Sequence, residues 1–436
     1  MRKLFFCLTL LWHVSFILTA QKTGFIKTNG KTFQKNGKAY YYIGTNFWYG
    51  AILGSAGDGG NKELLLKELD EMQKLGINNI RVLAGAEGPN NEPYRVTPAL
   101  QMTPGKYNQE LLDGLDFLLS EMKKRGQYAI LYLNNAWDWS GGYAQYLNWN
   151  GYGQIPYPMV KPNTWGDFIK FSSQFMNCEN CKKQYWDHVK YMLGRTNKFN
   201  GLKYTEDPTI MTWEIANEPR AFFKQNIPAF EKWLMETSAF IKSIDKNHLI
   251  TTGTEGQHGC EDSLLLFERI HADPNIDYLT MHIWPKNWKW LTIQNIPGTV
   301  DASIKNTNEY MDRHLEVARK LNKPLVLEEF GLPRDSFGFS ADETTICRDK
   351  FFRNAFEQIL KQARAKDVLA GCNLWTWGGF SRPIQGQTFW KKGDNYLDPP
   401  VEEQGLNSVY NTDSTVKLIL EYNNEIKVIV NSHIPN

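Results

Sequence analysis

The chain has almost no charge bias: 49 Lys and Arg stand against 47 Asp and Glu in 436 residues, a formal net charge of +2. With no dense Lys/Arg stripe either, it lacks the electrostatic footprint by which proteins hold nucleic acid or anionic membranes. A neutral substrate is expected, and no nucleic-acid partner. Cysteine is sparse, 6 in all. Apart from Cys7 these are Cys178, Cys181, Cys260, Cys347 and Cys372, and an odd number leaves at least one thiol unpaired. Cys178 and Cys181 are close enough for a disulfide in an oxidising compartment, whereas zinc would need a second ligand pair of comparable spacing, which is lacking. No metal and no cofactor are expected. There is also no Asn-x-Ser/Thr sequon, so N-glycosylation is not indicated.

Long apolar runs are missing except at the start, where Arg2 and Lys3 precede the run 4–18, which closes on Thr19-Ala20. That order reads as a secretory signal over residues 1–20. His13, Ser15 and the shortness of the run argue against a retained membrane anchor. The expected mature protein is secreted, extracellular or periplasmic, free of the membrane, monomeric, and built as a single domain over residues 21–436.

Aromatic residues are abundant, at 14% with 15 Trp, and their rings suit the apolar faces of pyranose sugars as well as cores. Asn29-Gly30 and Asn36-Gly37 predict turns of a small hairpin at the bottom of the molecule. Beyond it, apolar runs over 41–45, 79–83, 128–133, 210–214, 249–253, 278–282, 325–327 and 371–375 read as strands. Helical periodicity falls between them over 63–75, 108–125, 165–195 with an interruption around 178–181, 228–244, 302–321 and 343–366, with a last helix over 415–422. Eight strands alternating with helices predict an α/β fold, a (β/α)8 TIM barrel with long loops at its C-terminal face.

Chemistry in such a barrel sits at the C-terminal ends of the strands. There the sequence places Glu218 after the fourth strand, in WEIANEPR, and Glu328-Glu329 after the seventh. Two strand-end carboxylates suffice to hydrolyse a glycosidic bond. Glu255, after the fifth strand, is a rival read as structural. Arg81, on an apolar strand, needs a carboxylate or several carbonyls to pair with. Trp48 stands at the end of the first strand, Trp137 in the loop after the third, and His282 and Trp284 after the sixth.

Asn217-Glu218-Pro219 after one strand and Glu329-Phe330-Gly331 after a later one resemble the retaining glycoside hydrolases of family 5. NEPR, the stretch 134–149 and the stretch 398–410 resemble its endo-β-1,4-mannanase branch, over nearly all of the chain after the leader. The resemblance implies Glu329 as nucleophile and Glu218 as acid/base, with Glu214 and Glu328 structural. It further implies that Arg81 keeps the nucleophile ionised and Asn217 holds the sugar 2-hydroxyl. Trp375 would be the platform under the cleaved sugar, with Trp377 the second choice, and Arg220 would lie on the leaving-group side. His282 matches the family's His-x-Tyr, but Trp284 replaces the tyrosine, and an indole N–H donates without accepting. The activity implied is endo-cleavage of mannan, glucomannan or galactomannan by double displacement. The alternatives are another family 5 hydrolase, an endo-β-1,4-glucanase or exo-β-mannosidase, and a catalytically inactive glycan-binding barrel.

Overall fold

Eight strands are buried at every position: Tyr42–Asn46, Asn79–Leu83, Tyr128–Tyr132, Ile210–Glu214, Leu249–Thr251, Leu279–Ile283, Leu325–Phe330 and Leu369–Leu374. Strands apolar on both faces need cover on both, which a parallel sheet wrapped by helices provides. The computed structural model describes residues 24–432, so the expected leader lies outside the described residues. In it the eight strands pair in parallel, in the order five, four, three, two, one, eight, seven, six. The fifth and sixth close the ring through Asp277 N–H to the Ile250 carbonyl at 2.8 Å and Thr251 Oγ1–H to the Tyr278 carbonyl at 3.0 Å. This is a (β/α)8 barrel.

The local signals explain the helices. Asn108 caps Gln109–Arg125 by accepting the Leu111 N–H, and Gly126 ends it at φ 68°, a left-handed conformation that costs glycine little. Two helices outrun their sequence patterns: Ile296–Leu321 starts early because Asn295 caps it, and Thr415–Ser432 runs past residue 422. Leu264–His271, capped by Ser263, was not expected from periodicity. The Asn-Gly turns join three antiparallel strands, Ile26–Asn29, Thr32–Lys35 and Lys38–Tyr40, whose Phe33 packs edge-on to Tyr278 beneath the barrel. Cys178 and Cys181 form a disulfide, and Cys260, Cys347 and Cys372 are free and buried.

The third and eighth strands end one residue sooner than their sequence implied, and the fifth two. The fifth stops at Thr251, because Gly253 turns to φ 77° with its Cα against the Ala216 carbonyl, where a Cβ would lie 2.1 Å from that oxygen. This close approach lets the Gly253 carbonyl accept the Glu218 N–H at 2.9 Å, tying the fifth strand to the end of the fourth.

Candidate active site

Past Glu214 the fourth strand leaves the ladder, but its backbone stays bound on both sides. Asn217 N–H donates to the Asn134 carbonyl at 2.8 Å, Ala136 N–H to the Asn217 carbonyl at 3.0 Å, and Glu218 N–H to Gly253. Held this way, Glu218 takes φ 50°, a conformation that costs a non-glycine residue energy and is retained where the surroundings over-determine it. The turn aims its carboxyl into the barrel mouth.

Glu329 is aimed by an irregularity. The sixth and seventh strands pair Met281 with Leu327 and then His282 with Glu329, so the register slips past Glu328. Such a bulge breaks strict alternation, and both glutamates reach the Arg81 guanidinium. Arg81 is wholly buried. Its Nε and Nη2 donate to Glu214 Oε2 and Oε1 at 2.8 and 2.5 Å, a bidentate pair. Nη2 also reaches Asn217 Oδ1 at 2.8 Å, and Nη1 donates to Asn46 Oδ1 at 3.0 Å and to Glu329 Oε1. Glu328 Oε2 stands 3.9 Å from Arg81 Nε and 3.9 Å from His282 Nε2, without a hydrogen bond.

Three buried carboxyls thus face one guanidinium. Burial, then the Glu214 charge, lifts the Glu328 carboxyl well above its usual range against the pull of Arg81, which favours its neutral form. Burial also raises Glu214, with Arg81 opposing. Glu328 and Glu214 therefore do not both compete as anions for Arg81, and part of its charge is left for Glu329.

One oxygen each of Glu218 and Glu329 and a ring nitrogen of His282 lie within 4.8 Å of one another. His282 Nδ1 is 2.7 Å from Glu218 Oε1 and 3.4 Å from Glu329 Oε2. Burial takes the His282 imidazole down to about 4, so it is neutral and donates from Nδ1. Trp137 Nε1–H donates to the other oxygen, Glu218 Oε2, at 2.5 Å. Burial alone would raise Glu218, but the His282 contact, Arg220 and the Trp137 donor hold it below its usual range. Burial lifts Glu329 well above its own, against Arg81, and the Glu218 charge adds to the rise. Two buried carboxyls this close titrate as a pair, each one's charge opposing ionisation of the other. Glu218, His282 and Glu329 are also the group among the described residues whose atoms come close enough to hold a metal ion. Arg81, His282 and Trp137 already donate to these carboxylates, which favours anions balanced by hydrogen bonds over a metal centre.

The pair opens into a cavity of about 590 Å³ lined by Trp137, Asn217, Arg220, Trp284 and Trp375, all expected in the site. Trp375 lies between Trp139 and Trp284, with ring centroids 6.3 and 6.2 Å away, both edge-on. Arg220 lies over the Trp137 ring at 5.3 Å and binds Glu255, which accounts for that third strand-end carboxylate as a partner of Arg220. Arg81 and His282 sit beneath the cavity and act on it through Glu329 and Glu218.

Trp48 does not reach the cavity. It is buried behind Trp139 and Tyr396, and its Nε1–H donates to the Leu397 carbonyl at 2.9 Å, so its expected place among the substrate-binding residues is corrected to the core. The tyrosine-to-tryptophan change at Trp284 has a visible result: among the described residues, no hydrogen bond joins Trp284 to Glu329, and the indole packs at the wall. Trp377 is buried, its Nε1–H on Glu68 Oε2 at 2.7 Å, which leaves Trp375 at the cavity.

Lys286, Asn287 and Glu402 also line the cavity and went unnoticed in the sequence. Burial, with the Asp398 charge, pushes Glu402 up to about 8, and its Oε2 has no partner. The only signal available for it was its place in the 398–410 stretch, where nothing local marks one of two adjacent glutamates.

The sequence model of a family described as glycoside hydrolase family 5 β-mannosidase-like matches residues 23–431. Mannan endo-1,4-beta-mannosidase 7 of Arabidopsis thaliana is 30% identical over 365 residues, 81% of this chain and 77% of that protein. Mannan endo-1,4-beta-mannosidase 4 of Solanum lycopersicum is 30% identical over 361 residues, 80% of this chain and 82% of that protein. The crystal structure of a glycoside hydrolase family 5 mannosidase from Rhizomucor miehei, in complex with mannosyl-fructose, superposes with a TM-score of 0.85 at 34% identity, covering 94% of this chain and 98% of that one.

Proposed function

The chain belongs to the β-mannosidase-like members of glycoside hydrolase family 5, and on that premise we propose that it cleaves internal β-1,4-mannosidic bonds of mannan, glucomannan or galactomannan with retention of configuration. The observation that carries the mechanism is the approach of Glu218 and Glu329 to within 4.8 Å. Retaining glycosidases hold their carboxyls about 5–5.5 Å apart and inverting ones about 6.5–9.5 Å, the wider gap admitting a water. The names of the relatives and the aromatic cavity support the choice of mannan.

In the first step Glu329 forms a bond to the anomeric carbon while the bond from that carbon to the glycosidic oxygen breaks. The leaving oxygen takes the proton of Glu218. For that step Glu218 must hold the proton while Glu329 is ionised against Arg81. In the second step water attacks the anomeric carbon while its bond to Glu329 breaks, which frees the Glu329 carboxylate, and the water gives its proton to Glu218. Asn217, fixed by Arg81 and by Asn135 Oδ1 at 3.2 Å, is placed to hold the sugar 2-hydroxyl. Discrimination against glucose follows there, because a site built for the axial hydroxyl leaves polar groups unpaired with the equatorial one.

The test is the viscosity of a galactomannan solution, which should fall well before reducing ends accumulate. Faster hydrolysis of carboxymethylcellulose than of mannan would overturn the choice of substrate. Release of mannose alone would favour a second reading, an exo-mannosidase, which has its own support in the name of the Rhizomucor miehei relative and in an aromatic wall at one end of the cavity. We read the protein as secreted and monomeric, since the Cys178–Cys181 disulfide suits an oxidising compartment and one chain supplies the whole site. No helix among the described residues is long and apolar enough to cross a membrane.

A further inference from the structure

Trp137, the indole donor to Glu218, is held between two ties. On one side Ala136 N–H donates to the Asn217 carbonyl at 3.0 Å, and the Trp137 N–H donates to Asn135 Oδ1 at 3.0 Å. On the other side the chain enters the short turn Asp138–Ser140 and then the helix Gly142–Trp149. That turn is gripped from a different loop, by Glu87, which follows the second barrel strand. The Glu87 N–H donates to the Ser140 carbonyl at 2.9 Å, its Oε2 accepts the Gly142 N–H at 2.9 Å, and its Oε1 accepts the Tyr146 hydroxyl at 3.2 Å. One residue thus spans the turn and the first part of the helix behind it.

Glu87 is 1% exposed and does not line the catalytic cavity, so it has no contact with substrate. Burying a carboxyl costs free energy that its hydrogen bonds must offset. Burial lifts Glu87 to about 7, against the Gly142 N–H, the Tyr146 hydroxyl and the Arg95 charge. The grip outlasts that titration. A protonated carboxyl still offers an oxygen to Gly142, while Tyr146 can accept its proton and donate to Gln101 Oε1, 3.5 Å away. Arg95 braces the arrangement from behind, with Nη2 on the Glu87 carbonyl and Nη1 on Gln145 Oε1 at 2.9 Å and the Tyr157 hydroxyl at 2.7 Å. What depends on the turn is the ring just before it, whose Nε1–H meets Glu218 Oε2 at 2.5 Å. Such a bond tolerates little movement, because it weakens steeply as it lengthens and bends.

We propose that Glu87 is a positioning residue for the reaction: by clamping Ser140 and Gly142 from the neighbouring loop it sets the Trp137 indole against Glu218, and so keeps the donor on the acid/base from outside the cavity. The inference rests on the mannan-cleaving reading. The requirement is for reach rather than charge, since the Gly142 N–H needs an oxygen at one place and any acceptor there serves it. A side chain one methylene shorter withdraws that oxygen, frees the turn, and lets the indole drift from Glu218.

The test is the alkaline limb of kcat/KM on mannotetraose in two variants that separate reach from charge. Glu87→Asp keeps the charge and shortens the reach. Glu87→Gln keeps the reach without the charge, its amide oxygen serving Gly142 and its NH2 group donating to the Tyr146 oxygen. Glu87→Asp should move the limb upward by about 0.5–1 pH unit, the shift that a hydrogen bond of ordinary net strength converts to. Glu87→Gln should leave the limb where the parent has it. In a Trp137→Phe background Glu87→Asp should move the limb no further, since both changes remove one interaction. A limb unmoved in Glu87→Asp, shifts that add in the double variant, or a limb that moves in Glu87→Gln would overturn the positioning role while the mannan-cleaving reading stands. A parent protein inert toward mannotetraose would overturn that reading, and the positioning role with it.

Discussion

Trp137 donates its indole N–H to Glu218 Oε2 across 2.5 Å, so the carboxyl assigned as acid carries a donor on one oxygen while His282 occupies the other. A hydrogen bond to a carboxylate favours its ionised form, which opposes the acid role until the bond is released.

Trp137→Phe removes that donor and keeps the ring. The ionised form of Glu218 loses support, so the acid keeps its proton to higher pH and the alkaline limb of kcat/KM on mannotetraose should move upward. A ring that served only to pack the loop would change KM or kcat and leave the limb in place.

The two carboxyls should part company under substitution. Glu329→Ala should lower kcat by about 10⁴-fold or more on every substrate. Glu218→Ala should lose about 10²–10⁴-fold on mannan yet keep more activity on aryl β-mannosides, whose leaving groups need no proton. Azide added to the Glu218→Ala variant should yield a β-mannosyl azide. An active Glu329→Ala beside an inactive Glu328→Ala would reverse the assignment.

A carboxyl separation this short leaves no room for an attacking water opposite the leaving group. Proton NMR of the first product released should show the β anomer ahead of mutarotation. Appearance of the α anomer first would exclude double displacement.

Glu328 has no part in the proposed chemistry, and its burial favours the neutral form. Its ordinary value is 4.5 and burial raises it well above that. The unfolded chain releases the proton once pH passes 4.5 while the folded chain keeps it, so folding is penalised increasingly as pH rises from there toward the folded value. Glu328→Gln has no proton to lose. Its stability relative to the parent should improve steadily from pH 4.5 through neutrality in denaturant titrations, with kcat within about threefold. A difference independent of pH would mean that Glu328 is ionised in the fold. Glu214→Ala is the contrast, since it strips Arg81 of its bidentate partner and should cost about 3–5 kcal/mol.

The strands that carry the chemistry were legible because each is an apolar run bounded by turn residues, and alternation with helices admits few architectures. The fourth strand was placed at both ends, and so was the helix Gln109–Arg125 with its Asn108 and Gly126 caps. The early end of the fifth strand was not legible, because it depends on Gly253 meeting a carbonyl 37 positions earlier in the chain. Trp48 was misplaced for a similar reason. Its position at a strand end suited a sugar platform, but Trp139 and Tyr396, brought in by distant loops, cover it.

What the sequence determined by itself is the set of groups: a barrel, Glu218 and Glu329 at its strand ends, and Arg81 buried in need of a partner, all properties of short segments and of side-chain chemistry. Which of two adjacent glutamates faces the sugar could not be derived from alternation. Only the tertiary structure decided how both are used, through the slip in register that pairs His282 with Glu329 and turns Glu328 toward Arg81 as well. Register is a property of two strands 42 residues or more apart, as in Leu279 beside Leu325, and the charge balance among Glu214, Glu328, Glu329 and Arg81 follows from distances that exist only once the barrel has closed.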